Sequence, residues 1–228
     1  MDTGAAKQVS GTDPASALPA RPEVDTILSW VEQRRAMLIG VEGRPGTGRT
    51  TFLAQVRARA EGLNWSTLTC GELEASTTPA SFISRLRVLM PNKPAEALSY
   101  DDAFADLLKV LTQYSPILAT IDGFWASQEF AQWFCGAFLP HIKATGSPVV
   151  VVCADRPSHT ACLAGYTDLS VSLDSVDKHW LLEVIGRAAA ECTPPFSSEE
   201  LDGYAGELSG RPEFLGDFLR VLVLARSS

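Results

Sequence analysis

The sequence has no apolar stretch of the ~20 residues that a membrane-spanning helix requires. Its longest apolar runs, such as "SPVVVVCA", are far shorter. The opening "MDTGAAKQVSGTDPASALPA" has no apolar segment of the kind a secretory signal needs. Its small, polar and Pro-bearing composition predicts a disordered leader over residues 1–17. These absences predict a cytoplasmic protein with no membrane partner. Basic residues are also scarce, 19 Lys and Arg against 27 Asp and Glu, for a formal net charge of -8. A broad phosphate-binding face needs clustered cations, so nucleic acid is not an expected partner. The five cysteines include no C-x-x-C pair and have no histidine at metal spacing, which predicts reduced, mostly buried thiols and no cysteine or histidine metal centre. The three histidines are isolated, and no G-x-S-x-G elbow offers a hydrolase nucleophile.

What remains is an ordinary globular balance over 228 residues, 46% hydrophobic and 20% charged, enough for one sizeable α/β domain with a small appendage. "RPEVDTILSWVEQRR" repeats Val24, Ile27, Leu28 and Val31 on one helical face, with Pro22 suited to the first turn. "AMLIGVEG", "WSTLTC", "PILATID", "SPVVVVCADRP" and "DLSVSL" predict five strands. Segments of helical spacing separate them, including "ASQEFAQWFCGAFLPHI". From Asp174 onward every segment has helical spacing. The pattern predicts a five-stranded parallel sheet with flanking helices over residues 18–173, followed by a helical lid over 174–228. Ligands of such sheets bind beyond the carboxyl ends of the strands.

The first strand runs into Gly43-Arg44-Pro45-Gly46-Thr47-Gly48-Arg49-Thr50, which fits G-x-x-x-x-G-K-[ST] except for arginine in place of lysine. Glycines let consecutive N–H groups point inward, and the following helix adds its positive end. Donors from Gly46, Thr47, Gly48, Arg49, Thr50 and Thr51 suit a β-phosphate, and the Thr50 hydroxyl suits Mg²⁺. Arg49 keeps the charge of lysine but not its shape, because guanidinium is planar and best at bidentate contacts. Binding is therefore expected to outlast catalytic positioning. Arg44, Arg49, Arg57 and Arg59 are expected to gather as a basic cluster large enough for one triphosphate. Asp122, ending "PILATID", is the candidate magnesium acid, acting through water. Trp125 and Trp133 are expected to be core anchors on one helix face, the alternative being that Trp125 fills the space left by acids lost after Asp122.

With these residues the chain resembles the STAND branch of AAA-type P-loop ATPases, the NACHT and NB-ARC-like switch proteins, over most of residues 18–225. "LPARPEVDTIL" is similar to that family's N-terminal motif and implies that Arg21 lies near the adenine. "GRPGTGRT" resembles its Walker A loop and "ATIDG" its Walker B strand. "VVVVCADRP" resembles its sensor strand, implying that Arg156 faces the γ-phosphate. "LSGRPEFL" is similar to its lid motif, implying that Pro212 packs on the adenine. The resemblance implies ATP or ADP with Mg²⁺ as cofactors, and protein partners or self-association. Two departures stand out. Trp125 and Ala126 occupy positions where the family carries acids, so at most slow hydrolysis is expected. The sequence stops at Ser228, where the family's winged-helix module would begin. The expected function is a nucleotide-binding switch or assembly module. A nucleotide-free pseudo-ATPase serving protein interaction is the alternative, and a small-substrate kinase is disfavoured by the acidic helical end.

Overall fold

A computed structural model describes residues 19–90, 99–156, 162–190 and 195–225. The predicted leader, His159 and Cys192 lie outside the described residues. Helix α1 (Pro22–Val31) precedes β1 (Met37–Glu42) and α2 (Arg49–Gly62). Strand β2 (Ser66–Leu73), helices α3 (Pro79–Leu89) and α4 (Tyr100–Gln113), and β3 (Ile117–Phe124) follow. Then come α5 (Gln128–Trp133), α6 (Leu139–Ala144), β4 (Val149–Asp155) and β5 (Leu169–Ser172). Helices α7 (Lys178–Ala189), α8 (Ser198–Ser209) and α9 (Leu215–Ala225) complete the order, with a 3-10 turn at Pro212–Phe214.

The five strands form one parallel sheet in the order β2-β3-β4-β1-β5. Position in the sheet explains composition. The central β4, "VVVVCAD", is buried along its whole length, whereas the edge strand β2, "STLTCGEL", mixes buried and exposed positions. One face of the sheet packs Phe82, Leu107, Phe130, Phe134 and Phe138, and the other packs Ile27, Phe52, Leu53, Val56 and Trp65. Phe82 meets Phe130, Phe134 and Phe138 edge-on at 5.3–5.8 Å between centroids. A third cluster, built on Trp180, Leu181, Val184, Ile185 and Leu208, belongs to the C-terminal helices.

The segment predicted as one helix from Ala126 is interrupted. A π turn over Phe134–Phe138 separates α5 from α6. Pro140, in the first turn of α6, has no N–H to continue the α ladder. The tryptophan expectation also needs correcting. Trp133 packs against the aromatic core, but Trp125 follows the end of β3, lies on no helix and is 44% exposed. Burial pushes the Cys70 and Cys135 thiols up to about 12, so both are protonated and poorly nucleophilic at neutral pH.

Candidate functional site

The loop between β1 and α2 curls as its glycines require. Gly46 and Gly48 have φ of 85° and 82°, a left-handed backbone that side chains rarely adopt. A Cβ on Gly43 would stand 2.5 Å from Thr47 Oγ1, so the loop closes only over glycine there. Thr47 is buried and its hydroxyl donates to the Arg44 carbonyl across the turn. Pro45 sits exposed at the tip. Helix α2 starts directly at Arg49, with Gly48 as its cap and no side chain covering its first N–H groups. Such an end favours an anion. Thr50 Oγ1 donates to Asp122 Oδ2 at 2.6 Å, bridging α2 and β3 across 72 residues of sequence. The two oxygens suit a hard cation. Mg²⁺ in phosphate sites takes one or two protein ligands and completes its shell with water and phosphate. No group of three or more His, Cys, Asp or Glu at metal-holding range occurs among the described residues.

The C-terminal helices cover this loop. A cavity of about 130 Å³ lies between them, lined by Gly46, Thr47, Gly48 and Thr51 below and by Val176, Trp180, Pro212 and Leu219 above. Ligand pockets are commonly ~300–1,000 Å³, so this space suits one flat ring rather than a whole nucleotide. Arg21 also lines it, but its guanidinium is already engaged and only 5% of the residue is exposed. It donates to the Thr47 and Ser175 carbonyls and to Glu23, and lies over the Trp180 ring at 5.8 Å. Desolvation lowers its pKa from the ordinary arginine value, with Glu23 acting in the opposite direction. Arg21 thus ties the loop to Ser175 and to Trp180 of α7. Pro212 and Trp180 present the apolar walls.

The expected basic cluster is not a cluster. Arg44 pairs with Asp174 and Glu213, Arg57 donates to Thr120, and Arg59 pairs with Asp25. Arg59 is ten residues along α2 from Arg49, roughly 15 Å at helical rise. Arg49 itself pairs with Asp155, Nη1 to Oδ1 at 3.1 Å. Asp155 is fully buried. Its carboxylate also accepts the Phe124 and Arg156 N–H groups, while its carbonyl accepts Gly43 N–H at 3.1 Å. It therefore joins the ends of β1, β3 and β4. Sequence reading missed it, although an acid closing the most apolar strand, directly before Arg156, was a usable signal. Arg156 stacks on Trp125, 5.0 Å from guanidinium carbon to ring centroid.

No protein-family model matches the chain, and no curated protein matches it in sequence. Solved structures do match in shape. Cdc6p from Pyrobaculum aerophilum aligns over 82% of this chain and 55% of its own, at TM-score 0.53 and 17% identity. The Orc1 protein of Aeropyrum pernix, solved in complex with DNA, aligns over 92% and 65%, at 0.51 and 15%. A signal transduction ATPase with numerous domains and a tetratricopeptide repeat sensor, from Pyrococcus horikoshii, aligns over 83% and 28%, at 0.50 and 15%. The chain spans less than two thirds of each. With the parallel sheet and the glycine loop at the head of α2, the fold is decided. This is the P-loop NTPase fold. Within it, the loop from Gly43 leads into α2, Thr50 meets Asp122, and Arg21 and Pro212 line the cavity beside the C-terminal helices. Arg49 is held by Asp155, and Arg156 lies against Trp125. No described helix is long and apolar enough to cross a membrane.

Proposed function

We propose that this chain is an ATP/ADP-binding switch or assembly module of STAND/AAA type, with weak or absent hydrolysis. The P-loop of Gly43, Pro45, Gly46, Thr47, Gly48, Arg49, Thr50 and Thr51 takes the phosphates. Arg21 and Pro212 flank the base, Thr50 and Asp122 serve Mg²⁺, and Arg156 stands at the terminal-phosphate side. The observation that carries this reading is the apolar cavity between P-loop and lid, with the uncapped start of α2 beside it. Residues 18–173 act as the nucleotide-binding unit and 174–228 as its lid, in a cytoplasmic protein with protein partners.

Millimolar ATP or ADP with Mg²⁺ is expected to raise the melting temperature. Ligand at 100 times its Kd stabilises by about 2.7 kcal/mol. For a chain of this size that is a shift of about 5–10 °C. An unmoved melting curve, with no nucleotide released on denaturation, would favour the nucleotide-free alternative. That alternative draws support from Arg44 and Arg49, both engaged internally. A duplex belongs in the same binding test, since two structural neighbours were solved with DNA.

Hydrolysis is expected to be slow, because Trp125 and Ala126 provide no base or water-orienting acid. Such a group contributes ~10²–10⁴-fold. Trp125→Asp with Ala126→Glu is expected to raise phosphate release at saturating Mg-ATP. Trp125 is exposed, whereas Ala126 packs against the core, so Trp125→Asp alone isolates the gain from any folding cost. Brisk wild-type turnover that disappears in Asp122→Ala would refute the degenerate-site reading.

A further inference from the structure

The P-loop arginine has two candidate anions: the buried Asp155 carboxylate and the terminal phosphate of a bound nucleotide. Asp155 is already in contact and is fixed on every side. Oδ1 receives Arg49 Nη1 and the Arg156 N–H, and Oδ2 receives the Phe124 N–H. The Asp155 carbonyl holds the N–H of Gly43, the first glycine of the loop. The register places Asp155 opposite Glu42, at the mouth of the P-loop, and one step beyond the Asp122–Ala154 pair. Its carboxylate therefore stands at the crest of the sheet between the P-loop and the metal acid. Ligands of parallel sheets bind above that crest.

We infer that Asp155 is a specificity-determining residue that holds Arg49 away from the terminal phosphate, so that the site binds nucleoside diphosphate about as tightly as triphosphate. The inference rests on the nucleotide-binding reading above. In an ordinary P-loop the cation at this position is a compact ammonium that reaches the β- and γ-phosphates. Here the guanidinium is paired with a carboxylate, and the pair is close to neutral. A γ-phosphate arriving nearby gains little from a cation already compensated. The β-phosphate is served instead by the backbone N–H groups of the loop and the start of α2, which Asp155 does not neutralise. Asp155 is a positioning residue acting through Arg49. Its removal should shift the balance between the two nucleotides rather than abolish both.

The test is calorimetric titration of the full chain with Mg-ADP and Mg-ATP, for wild type, Asp155→Asn and the double variant Asp155→Asn with Arg49→Gln. Wild type is expected to show Kd values for ADP and ATP within about threefold of each other. Asp155→Asn, which frees the guanidinium, is expected to move the ratio at least tenfold toward ATP. The double variant is expected to leave the wild-type ratio in place, because it removes both charges of a compensated pair. If Asp155→Asn alone does not fold, the double variant decides: an unchanged ratio upholds the inference. Wild-type preference for ATP of tenfold or more that the double variant abolishes would overturn it while leaving the nucleotide-binding reading intact. Absence of heat with both nucleotides would overturn that reading, and this inference with it.

Discussion

Asp155→Ala is expected to lower the stability of the folded chain by about 3–5 kcal/mol, the usual cost of removing one partner from a buried ion pair. For a protein of this length that is a fall in melting temperature of about 6–20 °C. The size follows from what the carboxylate holds. It is fully buried, pairs with Arg49 at 3.1 Å, and accepts the Phe124 and Arg156 N–H groups. Alanine would leave a largely buried guanidinium and two N–H groups without their acceptor, and each unmet buried donor costs about 1–3 kcal/mol. Replacing both charges, Asp155→Ala with Arg49→Met, is expected to recover part of the loss, because the stranded cation disappears with its partner. The readout is a double-variant cycle in urea. A coupling energy within the ~0.5 kcal/mol expected of independent sites would show that the pair is not a unit.

The second large effect concerns magnesium. Asp122→Asn is expected to weaken the magnesium-dependent part of nucleotide affinity by about 10–100-fold, the usual cost of losing a group that orients a metal's shell through water. Nucleotide affinity in EDTA should change little, since the P-loop N–H groups act on phosphate without the metal. The geometry behind this is the 2.6 Å contact of the Thr50 hydroxyl with Asp122 Oδ2. Thr50→Val, which keeps the shape and removes the oxygen, is expected to reproduce the effect from the other side. Titration of Mg²⁺ at fixed ADP, followed by melting temperature, measures both variants against wild type. Equal magnesium enhancement in all three proteins would place the metal elsewhere.

The sheet was legible because its determinants are local. "AMLIGVEG" and "SPVVVVCADRP" read as buried strands, and both lie in the sheet interior as β1 and β4. The weaker "WSTLTC" became the edge strand β2, where partial exposure accounts for its mixed composition. The P-loop was legible too, because glycine at positions 43, 46 and 48 answers steric demands set within a few residues. The π turn was not, since periodicity cannot distinguish an α register from a one-residue insertion within a helix.

By itself, then, the sequence determined which segments are strands, where the phosphate-type loop lies and that a helical cap follows, since periods of two and 3.6 and glycine sterics act over short spans. Tertiary structure decided which charges neutralise each other. Arg49 and Asp155 are 106 residues apart, Arg44 and Asp174 130 apart, and only the parallel crossovers bring them together. The same holds for Trp125, whose aromatic character signalled core but whose place beyond the end of β3 leaves it in solvent against Arg156. An ion pair or a cation–π contact depends on distance in space, which no local pattern encodes.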